Sequence, residues 1–337
     1  MNMQGRLKDY HIFPGLDSTF QFTTNAQGYR SNRLLGPQKL GLLAIGASTT
    51  ECVFLGDDFG WTHLLERSLN ETFAQKEIVV ANVGVSGLSS GHHYLQMDHL
   101  TTQYEHINTV LLLAGINDFL RFLKSDQQYL PSQKDPWLLR RAFFKYPRQL
   151  NPKWYQRTEI WMHMRTVKND WTNRQMNERN DKVKGLVERK TKDYKLAEKA
   201  DSLPDYQLAI NDFEQNLIRM ARLAKSRNLE LVMMTQPVLW HEGISEREID
   251  LSIMGVPLIN GQSFTIEALA RGMDQFNEVT RKVARDYKLV LIDLAANLPQ
   301  DSTAFYDYCH FNKSGARLVA QLVSEQLRPS IENQLTR

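Results

Sequence analysis

Five residues of this chain have the types and spacing to run an acyl transfer through a covalent intermediate: Ser48, Gly84, Asn117, Asp307 and His310. They lie in Gly46-Ala47-Ser48-Thr49-Thr50, Asn82-Val83-Gly84, Gly115-Ile116-Asn117-Asp118 and Asp307-Tyr308-Cys309-His310, each segment placed after an apolar run. A serine hydroxyl is a weak nucleophile; it needs a neighbouring base, and the base needs an orienting group. His310 is the candidate base. Asp307, three residues earlier, can meet the imidazole within one turn of chain, accept its Nδ1–H and leave Nε2 free for the Ser48 proton. Attack on an ester carbonyl generates an oxyanion, for which three donors can be named: the Ser48 N–H, the Gly84 N–H and the Asn117 side-chain amide. Gly84, without a Cβ, suits close backbone approach. Each feature alone has a plainer reading, as helix cap, strand-ending turn, turn asparagine or structural Asp-x-x-His pair. The four together favour chemistry.

Elements must place them at one edge. Five apolar runs have strand length: Leu40 to Ile45, Ile78 to Val83, Thr109 to Ala114, Leu229 to Thr235 and Leu289 to Leu294. They are continuous rather than alternating, as in parallel strands buried on both faces. Helical stretches lie between and after them, at Gly60 to Glu71, Phe213 to Arg227, Met273 to Tyr287 and Ser314 to Leu327. This rhythm predicts an α/β fold with a doubly wound, five-stranded parallel sheet. Ligands bind such sheets beyond the carboxyl ends of the strands, where Ser48, Gly84, Asn117 and the Asp307/His310 loop all fall.

The order Ser, Gly, Asn, then Asp and His resembles that of the SGNH (GDSL-like) hydrolases. The resemblance covers residues from about 20 to 120 and 205 to 325. It implies a flavodoxin-like sheet, a Ser48-His310-Asp307 triad, and an oxyanion hole of Ser48, Gly84 and Asn117. Ala47 stands where Gly-Asp-Ser would have Asp, so the wording resembles a Gly-[Gly/Ala]-Ser-Thr-Thr branch. The lead-in Asn25-Ala26-Gln27-Gly28-Tyr29-Arg30 resembles that of envelope-associated bacterial members. From the residues themselves it yields a turn at Gly28 and a charge at Arg30, read as an ion-pair partner. Asp118 is read as a cap of the helix that follows it.

A chain of 337 residues, 42% hydrophobic, can bury a sizeable core and still carry an insertion. The expected organisation is a lead-in over 1–37 and a hydrolase domain over 38–335, with a helical insertion at about 120–205 between strands three and four. No strand is expected between Phe119 and Tyr206. The insertion carries an aromatic and basic stretch from Trp137 to Tyr146, then Trp154, Trp161 and Trp171, and is read as a helical cap. A lid or a membrane-touching surface is the alternative. The formal charge of +3, with acids and bases interspersed, lacks the cationic field that nucleic-acid binding needs. No apolar run approaches a membrane span, and the first ten residues lack the apolar core of a signal peptide. At face value the chain is read as cytoplasmic; an anchor preceding residue 1 would place it at the cell envelope or periplasmic face.

The two cysteines, Cys52 and Cys309, exclude a disulfide framework and read as free buried thiols, with a bridge or redox pair as the alternative. His92-His93, His99 and His241-Glu242 lack metal-site spacing, so no metal is assigned. No nucleotide loop is present, and no cofactor is expected. Gly87-Leu88-Ser89-Ser90-Gly91 fits the nucleophile elbow of the α/β-hydrolases, but Gly84-Val85-Ser86 separates it from its strand and the matching oxyanion segment is missing. The expected activity is a serine esterase acting on a small acyl ester, with O-acetyl on a carbohydrate the class implied by resemblance. Alternatives are an acyltransferase with the same triad, a lipid-directed esterase contacting membrane through 137–146, and an inactive carbohydrate- or partner-binding protein.

Overall fold

The computed structural model describes residues 2–7, 10–37, 39–74, 77–104, 106–125, 128–136, 138–143, 182–258 and 262–336. An antiparallel hairpin of β1 (Asn2–Arg6) and β2 (Thr19–Thr23) precedes the main sheet. That sheet comprises β3 (Lys39–Gly46), β4 (Glu77–Asn82), β5 (Ile107–Leu113), β7 (Glu230–Met234) and β9 (Val290–Ile292). All neighbours are parallel, in the order β4-β3-β5-β7-β9. Taken in chain order this is 2-1-3-4-5, the flavodoxin-like arrangement. Each of the five apolar runs of the sequence became one of its strands.

Strand residues alternate between two cores. Leu43 and Ile45 of β3, with Val110 and Leu112 of β5, face one side, against Met97, Phe119, Phe213, Met220 and Phe276. These come from α3 (Ser90–Gln103), α4 (Ile116–Leu123), α7 (Gln207–Ser226) and α9 (Ile266–Asp286). Leu42 and Ala44, with Leu111 and Leu113, face the other side. There α2 (Trp61–Thr72) and α11 (Lys313–Leu335) bury Trp61, Leu65, Val319, Val323 and Leu327. With apolar cover on both faces, the strands need no polar alternation, which is why their sequence runs are continuous.

Between β5 and β7 the described chain is mainly helical, with α5 (Leu138–Phe143) and α6 (Lys182–Leu196). It also holds a strand where none was expected: β6 (Glu198–Ala200) pairs in parallel with β8 (Gln262–Phe264). Its three residues are exposed and two are charged, so no apolar pattern announced it. Trp137, Trp154, Trp161 and Trp171 lie outside the described residues, as do residues 144–146 of the 137–146 segment. No helix among the described residues is long and apolar enough to cross a membrane. Helix α11 also runs eight residues past the expected end, through Pro329. Burial of Ile331 and hydrogen bonds from Ser330 and Gln334 to Glu230 hold the added turns.

The lead-in turns at Gly28, whose φ is +87°, and delivers Arg30 into the protein. Arg30 is 8% exposed and pairs with Asp57 at 3.2 Å. Its guanidinium also donates to the carbonyls of Glu51, Cys52 and Gly56, and lies 4.8 Å over the Phe22 ring. Removing one partner of a buried, fully bonded ion pair costs about 3–5 kcal/mol. Arg30→Met should therefore lower unfolding stability by roughly 3 kcal/mol, measured by denaturant titration with an unchanged slope. A loss below about 1 kcal/mol, the scale of an exposed pair, would contradict this role.

Candidate active site

Strand β3 ends at Gly46, and α1 (Ser48–Glu51) begins at once. The turn demands glycine: a Cβ on Gly46 would sit 2.1 Å from Thr50 Oγ1 and 2.8 Å from the Leu113 carbonyl. Ala47 holds the N-cap position, so Ser48 is the first helical residue. Its Oγ is 2.7 Å from His310 Nε2. The carbonyls of the short helix are taken by outside donors: Thr49 O by Trp61 Nε1 at 3.1 Å, Thr50 O by Asn82 Nδ2 at 2.7 Å, and Glu51 O by Arg30.

His310 sits on a loop between β9 and α11, closed by an antiparallel bridge of Phe305 with Phe311. Its Nδ1 is 2.8 Å from both oxygens of Asp307. Asp307 Oδ1 also accepts the backbone N–H groups of Cys309 at 3.0 Å and His310 at 2.9 Å, which fixes the carboxylate within the turn. Tyr306 stacks on the imidazole at 5.5 Å and 10°, and Tyr308 meets it edge-on at 5.7 Å. Burial disfavours a charged imidazole, but the Asp307 carboxylate outweighs it and holds the His310 pKa well above 6.5. The structure thus brings Ser48, His310 and Asp307 into one hydrogen-bonded line, the arrangement in which a serine hydroxyl can be deprotonated as it attacks.

The three expected oxyanion donors differ in state. The Ser48 N–H has no acceptor among the described residues. Gly84 lies against α1 so closely that a Cβ would be 2.5 Å from the Glu51 nitrogen, but its N–H is donated to Asn82 Oδ1 at 2.9 Å. It can reach an oxyanion only as a shared donor or after that turn opens. Asn117 donates one amide hydrogen to the Leu88 carbonyl at 3.0 Å, tying it to the loop that carries Gly84.

Asp118 does not cap the helix that contains it. It is buried and accepts from the Ser90 N–H at 3.0 and 3.1 Å and from the Ser90 hydroxyl at 2.5 Å, at the start of α3. Burial pushes its pKa up to about 7. Asn216 links Ser90 to Ser132, which in turn donates to Asp212.

Ser89 is the N-cap of α3, 2% exposed, with Oγ 2.9 Å from His92 Nδ1. His93 is buried against Gln96, and burial lowers its pKa to about 4. Cys52 and Cys309 are free and buried. Sequence reasoning missed Asn82, Trp61 and Tyr306 as positioning groups. Only Asn82 left a signal, as a polar residue closing an otherwise apolar strand two positions before Gly84.

A sequence model of the GDSL-like lipase/acylhydrolase family matches residues 44–318, a span that includes all five candidate residues. No curated protein matches the chain in sequence. Among solved structures, an alpha/beta hydrolase from the metagenome of Lake Arreo, Spain, is similar at 13% identity and a TM-score of 0.48, over 85% of this chain and 94% of its own. An acetyl xylan esterase variant from Geobacillus stearothermophilus is similar at 14% identity and 0.48, over 87% and 96%. The family assignment rests on the sequence match.

An imidazole serving as base must be neutral, and one whose pKa is raised by a carboxylate, as in His310, would then give a pH profile of known sign. Ester hydrolysis should rise with pH and reach half its plateau above the ordinary 6.5. Asp307→Asn should move that midpoint down and cut kcat by roughly 10²–10⁴. A midpoint unmoved in Asp307→Asn would contradict the pairing.

Proposed function

The chain belongs to the GDSL-like lipase/acylhydrolase family, and on that premise we propose that it is a serine esterase working through Ser48, His310 and Asp307. The observation that carries the reading is the 2.7 Å contact of Ser48 Oγ with His310 Nε2, backed by Asp307 on Nδ1. His310 takes the Ser48 proton as Oγ attacks the ester carbonyl, and Asp307 stabilises the imidazolium. The Ser48 N–H and Asn117 amide face the developing oxyanion, and Gly84 joins them if it releases Asn82. His310 then protonates the departing alcohol, and a water activated by the same imidazole hydrolyses the acyl-enzyme.

We take the acyl group to be small and the alcohol half to be a carbohydrate. Support comes from the resemblance of Gly46 to Thr50 and of Asn25 to Arg30 to envelope-associated members. A pocket of about 330 Å³ beside Gly84, lined by Phe22, Thr24, Glu51, Val85 and Gln96 among others, has the size range of small-molecule sites. Phe22 is its one aromatic wall, and neither Ser48 nor His310 lines it, so it meets the site only at Gly84 and would take part of the alcohol half rather than the reacting ester.

Hydrolysis of p-nitrophenyl acetate and butyrate by the wild type, Ser48→Ala and Ser89→Ala tests this. Ser48→Ala should lose about 10⁴-fold or more, and Ser89→Ala should retain activity. Acetate should be preferred over butyrate. Loss confined to Ser89→Ala would overturn the assignment, and turnover that rises only on vesicle-borne esters would favour a lipid-directed enzyme.

A further inference from the structure

The Cys309 thiol has no part in the proton relay, yet it shares the imidazole with it. Cys309 Sγ lies 3.6 Å from His310 Nδ1, the nitrogen that lies 2.8 Å from Asp307. Sulfur, nitrogen and a carboxylate oxygen all fall within 4.8 Å of one another. Bonds of about 2.3 Å to sulfur and 2.0–2.1 Å to nitrogen put two ligands of a tetrahedral zinc ion about 3.6 Å apart. That is the Sγ to Nδ1 separation found. Asp307 Oδ2, the carboxylate oxygen not tied to the N–H groups of the turn, is 2.8 Å from Nδ1, closer than a tetrahedral neighbour of nitrogen by roughly 0.5 Å, so the imidazole must shift outward by about that much to admit the ion. The His310 and Asp307 side chains keep 18% and 12% exposure, whereas Cys309 is fully buried, so entry is from the imidazole–carboxylate edge and sulfur is reached last.

We propose that Asp307, Cys309 and His310 form an inhibitory site for a thiophilic divalent cation of the zinc type. This rests on the reading of His310 as the general base. Cys309 binds as thiolate and releases one proton to solvent. The cation takes the Nδ1 lone pair, the Nδ1 proton relocates to Nε2, and Asp307 becomes a ligand; no atom changes oxidation state, and water completes the tetrahedron. Nε2 then presents an N–H to Ser48 and cannot accept its proton. Hard cations, which favour all-oxygen sites, should have no such effect.

The test combines kinetics with a spectroscopic readout that needs no activity. After preincubation with Zn²⁺ the wild type should lose ester hydrolysis with slow onset, recover it with a chelator, and be unaffected by Mg²⁺. Cys309→Ala should keep its basal activity and need roughly tenfold or more Zn²⁺ for the same inhibition, with Cys309→Ser as a second variant should the cavity left by alanine disturb folding. In Ser48→Ala, Cd²⁺ should raise a thiolate charge-transfer band that is lost when Cys309 is also replaced. Equal inhibition of wild type and both Cys309 variants, or no Cys309-dependent band, would overturn the site. A Cys309-dependent band in a wild type without esterase activity would keep the site and remove the esterase reading.

Discussion

A helix of one turn cannot hold itself together, because nucleation fixes several residues for a single hydrogen bond. Helix α1 carries Ser48 and is only four residues long. Its geometry is imposed from outside, by Trp61 on Thr49 O, Asn82 on Thr50 O, and Arg30 on Glu51 O and Cys52 O. Three separate parts of the chain, the lead-in, α2 and the end of β4, converge on those carbonyls. Asn82 has a second task, since its Oδ1 also holds the Gly84 N–H. One buried side chain thus sets the distance between α1 and the loop that carries Gly84.

The opposing wall is organised by a carboxylate. Asp307 binds two N–H groups of its own turn as well as the imidazole, and the Tyr306 face confines the ring. Behind the site lies a less favourable arrangement, in which Asp118 and Asp212 are both buried and joined through Ser90, Asn216 and Ser132. Desolvation and mutual repulsion make such carboxylates costly, in keeping with the raised pKa of Asp118. In return, α3, α4 and α7 are locked together beside Asn117.

The sheet was legible because strands covered on both faces must be apolar throughout, and Leu40 to Ile45 and Thr109 to Ala114 are. The Ser48, Asp307 and His310 contacts were legible because their chemistry restricts residue type and places them at strand ends. What escaped had no such constraint. The β6 strand is three exposed residues defined only by its partner β8. The Asp118 acceptor role depends on Ser90, which reaches it only through tertiary packing. The Gly84 N–H is taken up by Asn82, whose amide is held in turn by Thr50 and Thr62, a packing detail that no spacing rule encodes.

In the proposed mechanism Ser48 is the one serine made nucleophilic, with His310 as its base. Reaction of the folded protein with a fluorophosphonate, followed by peptide mass spectrometry, measures this without presuming a substrate. A single adduct is expected on the peptide containing Ser48, lost in His310→Ala. No adduct on a well-folded wild type, or an adduct on Ser89, would contradict it.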